Sequence, residues 1–202
     1  MNKTLLLKVS IIGCLLFSTL IASAQQGFKK HTVGISAGFG SAEFVHLKKV
    51  LGGASYDVQS LANYGIFYVS KLKGGVGFET GLYYLNRKLN VEASFTGTPV
   101  QTVAHSFDLL SIPVGLRVNF LKYFYWNTAA LIDIEVNNSG GIRNQSALGI
   151  NLGLGANYFF KNNIGIYINP QVAHRTLYYF KGKGNEPLNL EYNTTFGLAY
   201  KL

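Results

Sequence analysis

Residues 147–160 read ALGINLGLGANYFF, and the same alternation resumes after KNN in IGIYINPQV, residues 164–172. Leu148, Ile150, Leu152, Leu154, Tyr158 and Phe160 fall on one parity. Gly149, Asn151, Gly153, Gly155 and Asn157 fall on the other. A period of two is the period of a β-strand, whose side chains point alternately to opposite faces. One face is therefore large and apolar, and the other is small and polar. In a soluble sandwich the apolar face packs on a core and the polar face meets water. Here that polar face would be mostly Gly, Asn, Thr and Ala, with few lysines to guard edges. Turned inside out, the pattern is coherent. The apolar face meets lipid, the small polar face fills a narrow lumen, and closure removes every edge, as hydrocarbon demands.

The same alternation recurs along the chain and predicts eight strands: Thr32–Phe44, Ser60–Lys71, Val76–Lys88, Phe107–Phe120, Tyr123–Val136, Ala147–Phe160, Ile164–Thr176 and Leu190–Leu202. Each matches the span of about 9–11 tilted residues that crosses a bilayer, plus a short overhang. The mean globular strand is only about 5–6 residues. LKGG, LK and KNN make tight turns, whereas HLKKVLGGASYDVQ, NVEASFTGTPVQTVAH, NNSGGIRNQS and LYYFKGKGNEPLN make long loops. Short turns at one end and long loops at the other are the layout of an outer-membrane barrel, with the short turns in the periplasm. An even strand count brings both termini to that end. The fold class is all-β, an eight-stranded antiparallel up-and-down transmembrane β-barrel.

Parity then assigns the faces. Strand eight sends Leu190, Tyr192, Phe196, Leu198 and Tyr200 outward, and Glu191, Asn193, Thr195 and Lys201 inward. Strand three sends Val76, Phe78, Leu82 and Tyr84 outward against Glu79, Tyr83 and Arg87. An Arg or Lys on the lipid face at mid-bilayer costs about 2–4 kcal/mol, and no mid-strand outward position carries one. Strand four is less regular. Asp108 falls on the outward parity, and Pro113, which cannot donate to a ladder, predicts a β-bulge beside it that would reset that parity. Tyr64, Tyr68, Tyr84, Phe124, Trp126, Tyr158, Phe160 and Tyr200 fall near strand ends, as girdle residues do.

The N-terminus reads as a secretory signal peptide over residues 1–24. It has a basic start (Lys3, Lys8), the apolar run VSIIGCLLFSTLI, and an Ala22-Ser23-Ala24 cleavage site. Residues 25–202 form the barrel domain. Cys14 is the single cysteine and lies in the leader, so the processed chain has no thiol for disulfide, zinc or nucleophile. Loss of Lys3 and Lys8 takes the formal charge from +9 to +7 (9 − 2). After export the counter-charge is anionic lipid or lipopolysaccharide rather than nucleic acid.

LLSIPVGLRVNF resembles the Leu-x-Ile-Pro stretch, followed by apolar residues and a basic one, of the PorT-like outer-membrane β-barrel proteins of Bacteroidota. Here it is Leu110, Ile112, Pro113 and Arg117. GLYYLNRK is similar to the third strand of that family. The ending Thr195-x-Gly197-x-x-Tyr200-x-Leu202 is similar to the signal read by the barrel-assembly machinery, a partner the resemblance implies. The resemblance specifies architecture and leaves function open.

The inward charges, Glu79, Arg87, Arg117, Asp133, Glu135, Arg175, Glu191 and Lys201, are candidates for a lumen network. Strand adjacency brings Glu79 near Arg117 and Arg175 near Glu191. Eight strands leave an interior just wide enough for side chains, and buried charges must pair. The long loops carry Lys48, Lys49, Arg143, Lys181 and Lys183, candidates for lipopolysaccharide phosphates. Catalysis would need a base within reach of a hydroxyl. The candidates are His105, Ser106 and Asp108, or His174, Thr176 and Glu191, but His105 and Ser106 face opposite ways on a strand. The four histidines are scattered without ligand spacing, and KGKGNEP lacks the G-K-[ST] of a phosphate loop, so no metal, cofactor or enzymatic activity is expected. The expected role is structural or binding in the envelope, as an accessory to secretion or adhesion with a protein partner at the long loops. The rivals are a narrow pore for small solutes and a lipid A- or phospholipid-modifying enzyme.

Overall fold

The computed structural model describes residues 31–45, 55–92, 102–139, 144–180 and 188–202. Eight strands follow in order: β1 (His31–Val45), β2 (Ser55–Lys71), β3 (Val76–Glu92), β4 (Thr102–Phe120), β5 (Phe124–Asn138), β6 (Ala147–Phe159), β7 (Ile164–Tyr179) and β8 (Leu188–Lys201). Each pairs antiparallel with its sequence neighbour, and β8 returns to β1, closing the barrel. Closure matters because hydrocarbon offers no partner for an unpaired backbone group. The leader and the long-loop lysines and arginine lie outside the described residues.

The polarity of the surface is inverted relative to a soluble protein. Leu154 is 60% exposed, Ile35 59% and Phe39 63%, whereas Arg87, Asp133 and Glu191 are each 0% exposed. Along β6 the burial alternates without a break from Ala147 to Gly155, with Leu148, Ile150, Leu152 and Leu154 outside. The glycines of the inner face make room for large lumen side chains. A Cβ on Gly155 would meet the Tyr125 ring, and one on Gly153 would meet the amides of Asn127 and Asn169.

The short turns are Leu72–Gly75, Leu121–Tyr123 and the KNN turn. Gly74 and Gly75 take positive φ (61° and 85°), as does Asn163 (67°), and these residue types tolerate it. Leu121 takes φ 55°, which is strained for a leucine. Aromatic rings belt this end: Phe120 stacks on Phe124 at 6.2 Å, and Tyr158 lies 5.7 Å from Tyr123 and 5.1 Å from Phe160. The first and last strands meet here too, with Leu202 N donating to His31 O at 2.9 Å.

Two features differ from the sequence expectation. Strands β2, β3, β4 and β7 run further toward the loop end, β4 beginning at Thr102 rather than Phe107. The bulge expected beside Pro113 is not there. Pro113 pairs with Leu131 in an unshifted ladder, and its carbonyl accepts from Thr80 Oγ1 at 2.8 Å. The register shift lies instead at Asp108/Leu109, where Val136 is the extra residue on β5. Asp108 therefore keeps its outward parity, and the bulge turns Asn137 to face it. Asp108 accepts from Asn86 Nδ2 at 2.6 Å and Asn137 Nδ2 at 3.1 Å.

That polar collar marks the upper edge of the lipid-facing band. Below it on β4, the outward residues from Leu110 to Phe120 are all apolar. Ten residue steps at about 3.3 Å each, tilted about 40°, rise about 25 Å, the height of an outer-membrane apolar band. At and above it the two faces exchange character on β3 and β4. Asn86, Lys88 and Asn90 face outward, whereas Leu85, Leu89, Phe107 and Leu109 cluster inside, each at most 1% exposed. A strand that leaves hydrocarbon for water reverts to the ordinary rule of apolar in and polar out.

Candidate functional site: the lumen

The lumen is filled in layers. Nearest the short turns, Phe67, Val69, Tyr167 and Ala199 pack together, with Phe67 edge-on to Tyr167 at 5.0 Å. Lys201 lies beside this layer, its Nζ 3.8 Å from the centre of the Phe159 ring. Above it Arg117 grips Glu79 through two bonds, Nε to Oε2 at 2.7 Å and Nη2 to Oε1 at 2.9 Å. The fork geometry of guanidinium suits a carboxylate held this way. The Tyr125 ring lies against the same guanidinium, 4.1 Å from Cζ.

The middle of the lumen is a chain of amides. Asn151 Nδ2 donates to Gln171 Oε1 at 3.2 Å, Gln171 Nε2 to Asn193 Oδ1 at 2.7 Å, and Asn193 Nδ2 to Glu191 Oε1 at 2.5 Å. Every donor in it points toward the Glu191 carboxylate. These amides were not among the sequence candidates. Their signal was present, as inward-facing Asn and Gln on three adjacent strands, β6, β7 and β8.

Above the amides lies the main ion cluster. Glu191 is held by Arg175 and by Arg87 together. Arg175 also donates from Nη1 to both oxygens of Asp133 at 3.1 Å and to Ser111 Oγ at 3.2 Å. Two arginines face two carboxylates, so the cluster is neutral. The Arg87 guanidinium rests over the Phe107 ring at 5.5 Å, tying the ion cluster to the apolar layer above it. Among the described residues, the cavity between Arg117 and Arg175 holds about 40 Å³. At about 10–15 Å³ per water that is space for a few waters and no solute.

Residues 12–201 match the family model described as outer membrane protein beta-barrel domain. The chain belongs to that family. This outer-membrane barrel is also similar to the crystal structure of outer membrane protein OprG from Pseudomonas aeruginosa. The TM-score is 0.55 at 13% identity, covering 88% of this chain and 98% of that one, a likeness of fold alone. The translocator domain of autotransporter NalP from Neisseria meningitidis gives a TM-score of 0.35 at 8% identity over the whole of both chains, too low to bear on this one. No curated protein sequence matches the chain.

In this outer-membrane barrel Glu135 stands apart from the ion pairs. It lies at the lip, where its carboxylate accepts from Asn144 Nδ2 at 3.1 Å, Gln145 N at 2.8 Å and Asn138 Nδ2 at 3.2 Å. The bulge at Val136 and the loop that follows explain the departure, because the strand is ending there. Lys48, Lys49, Arg143, Lys181 and Lys183 lie outside the described residues. His105 and Ser106 pair with Leu89 and Lys88, and Ser106 is tied to Ser139 through Ser139 Oγ at 2.8 Å. His174 opposes Leu190 on the lipid-facing parity, while Glu191 points into the lumen, so those two do not meet. Among the described residues no group of His, Cys, Asp and Glu is placed to hold a metal.

Proposed function

We propose that this outer-membrane barrel is a non-conducting envelope protein with a structural or binding role, presenting its long loops to a protein partner in secretion or adhesion. The observation that supports this is the plugged lumen. Two ion clusters, an amide chain and two apolar layers succeed one another among the described residues, and the cavity between Arg117 and Arg175 is about 40 Å³. Apolar layers dewet a passage and buried pairs resist hydration, so each layer opposes ion flow. The layered plug favours this reading over a narrow pore.

The same reading extends to export by the leader at residues 1–24, insertion through the C-terminal strand, and lipopolysaccharide contacts at Lys48, Lys49, Arg143, Lys181 and Lys183. Kinship with the PorT-like proteins rests on Leu110, Ile112, Pro113 and Arg117. The absence of enzymatic activity is part of the proposal. Lipid A from cells with and without the protein would have the same mass. Planar-bilayer recording of purified protein is the decisive experiment for the plug: a silent membrane is expected, and stable unitary conductance steps would replace this reading with a pore.

A further inference from the structure

The short-turn rim carries a charge asymmetry that none of the lumen chemistry uses. Each of its three turns bears a lysine: Lys73 between β2 and β3, Lys122 between β4 and β5, and Lys161 between β6 and β7. All three are exposed, and none forms an ion pair with a described acid. Among the described residues no Asp or Glu side chain lies on this rim. Glu79 lies inside the lumen and is committed to Arg117.

Two of these turns follow or precede residues that line a groove on the outer wall: Tyr123, next to Lys122, and Tyr158, three residues before Lys161. The groove holds about 750 Å³ and is lined by Ile35, Ala37, Ala156, Tyr158, Ile166 and Leu198 among others. Barrel walls are convex, and this one is hollowed because Ala37 and Ala156 are small between large neighbours. At its turn end Tyr123 and Tyr158 lie 5.7 Å apart, ring to ring. Lys122 sits on the Tyr123 ring, its Nζ 5.2 Å from the centroid, and Lys161 follows Tyr158 on the next turn. Hydrocarbon-lined depth, an aromatic collar and turn lysines succeed one another in the order of a lipid: acyl chain, glycerol ester, phosphate.

We infer that this groove is a specific site for an anionic glycerophospholipid of the leaflet at the short-turn end. One acyl chain lies against Ile166 and Leu198, and the headgroup phosphate lies between Lys122 and Lys161. Charge complementarity selects the anionic class over the zwitterionic one. Each lysine near an anionic lipid surface contributes about fivefold in affinity (about 1 kcal/mol). Two lysines sharing one headgroup therefore favour phosphatidylglycerol over phosphatidylcholine by roughly 25-fold.

Native mass spectrometry of the full chain, released from micelles containing equal amounts of the two lipids, tests this. The wild type is expected to retain phosphatidylglycerol about 25-fold over phosphatidylcholine. The double variant K122Q/K161Q should fall below about twofold, while K88Q, at the opposite end of the barrel, keeps the preference. Ala156→Phe, which fills the groove, should lower retention of both lipids. Heat-modifiable mobility on gels establishes that each variant is folded. Equal retention of both lipids by the wild type, an unchanged preference in K122Q/K161Q, an equal loss in K88Q, or undiminished retention in Ala156→Phe would each overturn the site.

Discussion

Arg175 on β7 reaches past β6 to Asp133 on β5, donating from Nη1 to both carboxylate oxygens at 3.1 Å, while its Nε and Nη2 hold Glu191 on β8. One guanidinium thus cross-links strands that are not ladder neighbours. It is a strut across the lumen, enclosed by the Leu85–Leu109 layer above and the amides below.

Glu191 is the member whose loss leaves the most uncompensated charge, since Arg175 and Arg87 both depend on it. Removing one partner of a buried pair costs about 3–5 kcal/mol. Glu191→Gln is expected to destabilise the refolded barrel by that amount in urea titration from lipid vesicles. A change below about 1 kcal/mol would mean the pair is hydrated and the lumen open.

Packing gives an independent test of the plug. Gly155→Val would push a branched side chain into the Tyr125 ring, and overpacking of this kind costs about 1–3 kcal/mol. Its outward neighbour Leu154, 60% exposed on the bare protein, should tolerate Leu154→Ile at under about 1 kcal/mol, because fluid acyl chains adapt. The same vesicle titration ranks them. Equal costs at the two positions would mean that the two faces do not differ in packing.

Much of the molecule was legible in the alternation. The lipid face of β6 and β8, the closure, and the adjacency of Arg117 with Glu79 and of Arg175 with Glu191 follow from parity and strand order. The bulges were not legible. Pro113 is conspicuous in sequence yet sits in register, because a proline whose missing N–H falls at a gap in the ladder disturbs nothing else. Val136, an ordinary strand residue, carries the shift. The apolar layer of Leu85, Leu89, Phe107 and Leu109 is not legible because parity reads the inward face as polar, and Leu89 lies beyond the predicted end of strand three. The change of phase at Asn86 and Asp108 is itself the mark of the membrane boundary. Asp133 as a second partner of Arg175 could not be read, since nothing in sequence fixes which side chains meet across a lumen.

Leu121 offers a stabilising change. Its φ of 55° costs a leucine about 1–2 kcal/mol that glycine avoids, offset in part by the greater entropy glycine loses on folding. Leu121→Gly is expected to gain roughly 0.5–1 kcal/mol, raising the temperature at which the heat-modifiable gel band is lost. A clear fall in that temperature would mean the side chain, 47% exposed, contributes more at the membrane surface than the strain removes.

The most direct test of the central claim follows the opening strand residue by residue. With Cys14 the only cysteine and confined to the expected leader, a chain starting at Gln25 can carry one spin label at each position from Leu148 to Ala156. In vesicles, collision with oxygen should peak at 148, 150, 152 and 154 and collapse at 149, 151, 153 and 155, with a polar nickel reagent excluded from the outward set. Outward labels relaxed by the nickel reagent and shielded from oxygen would show that water, not lipid, bathes the apolar face.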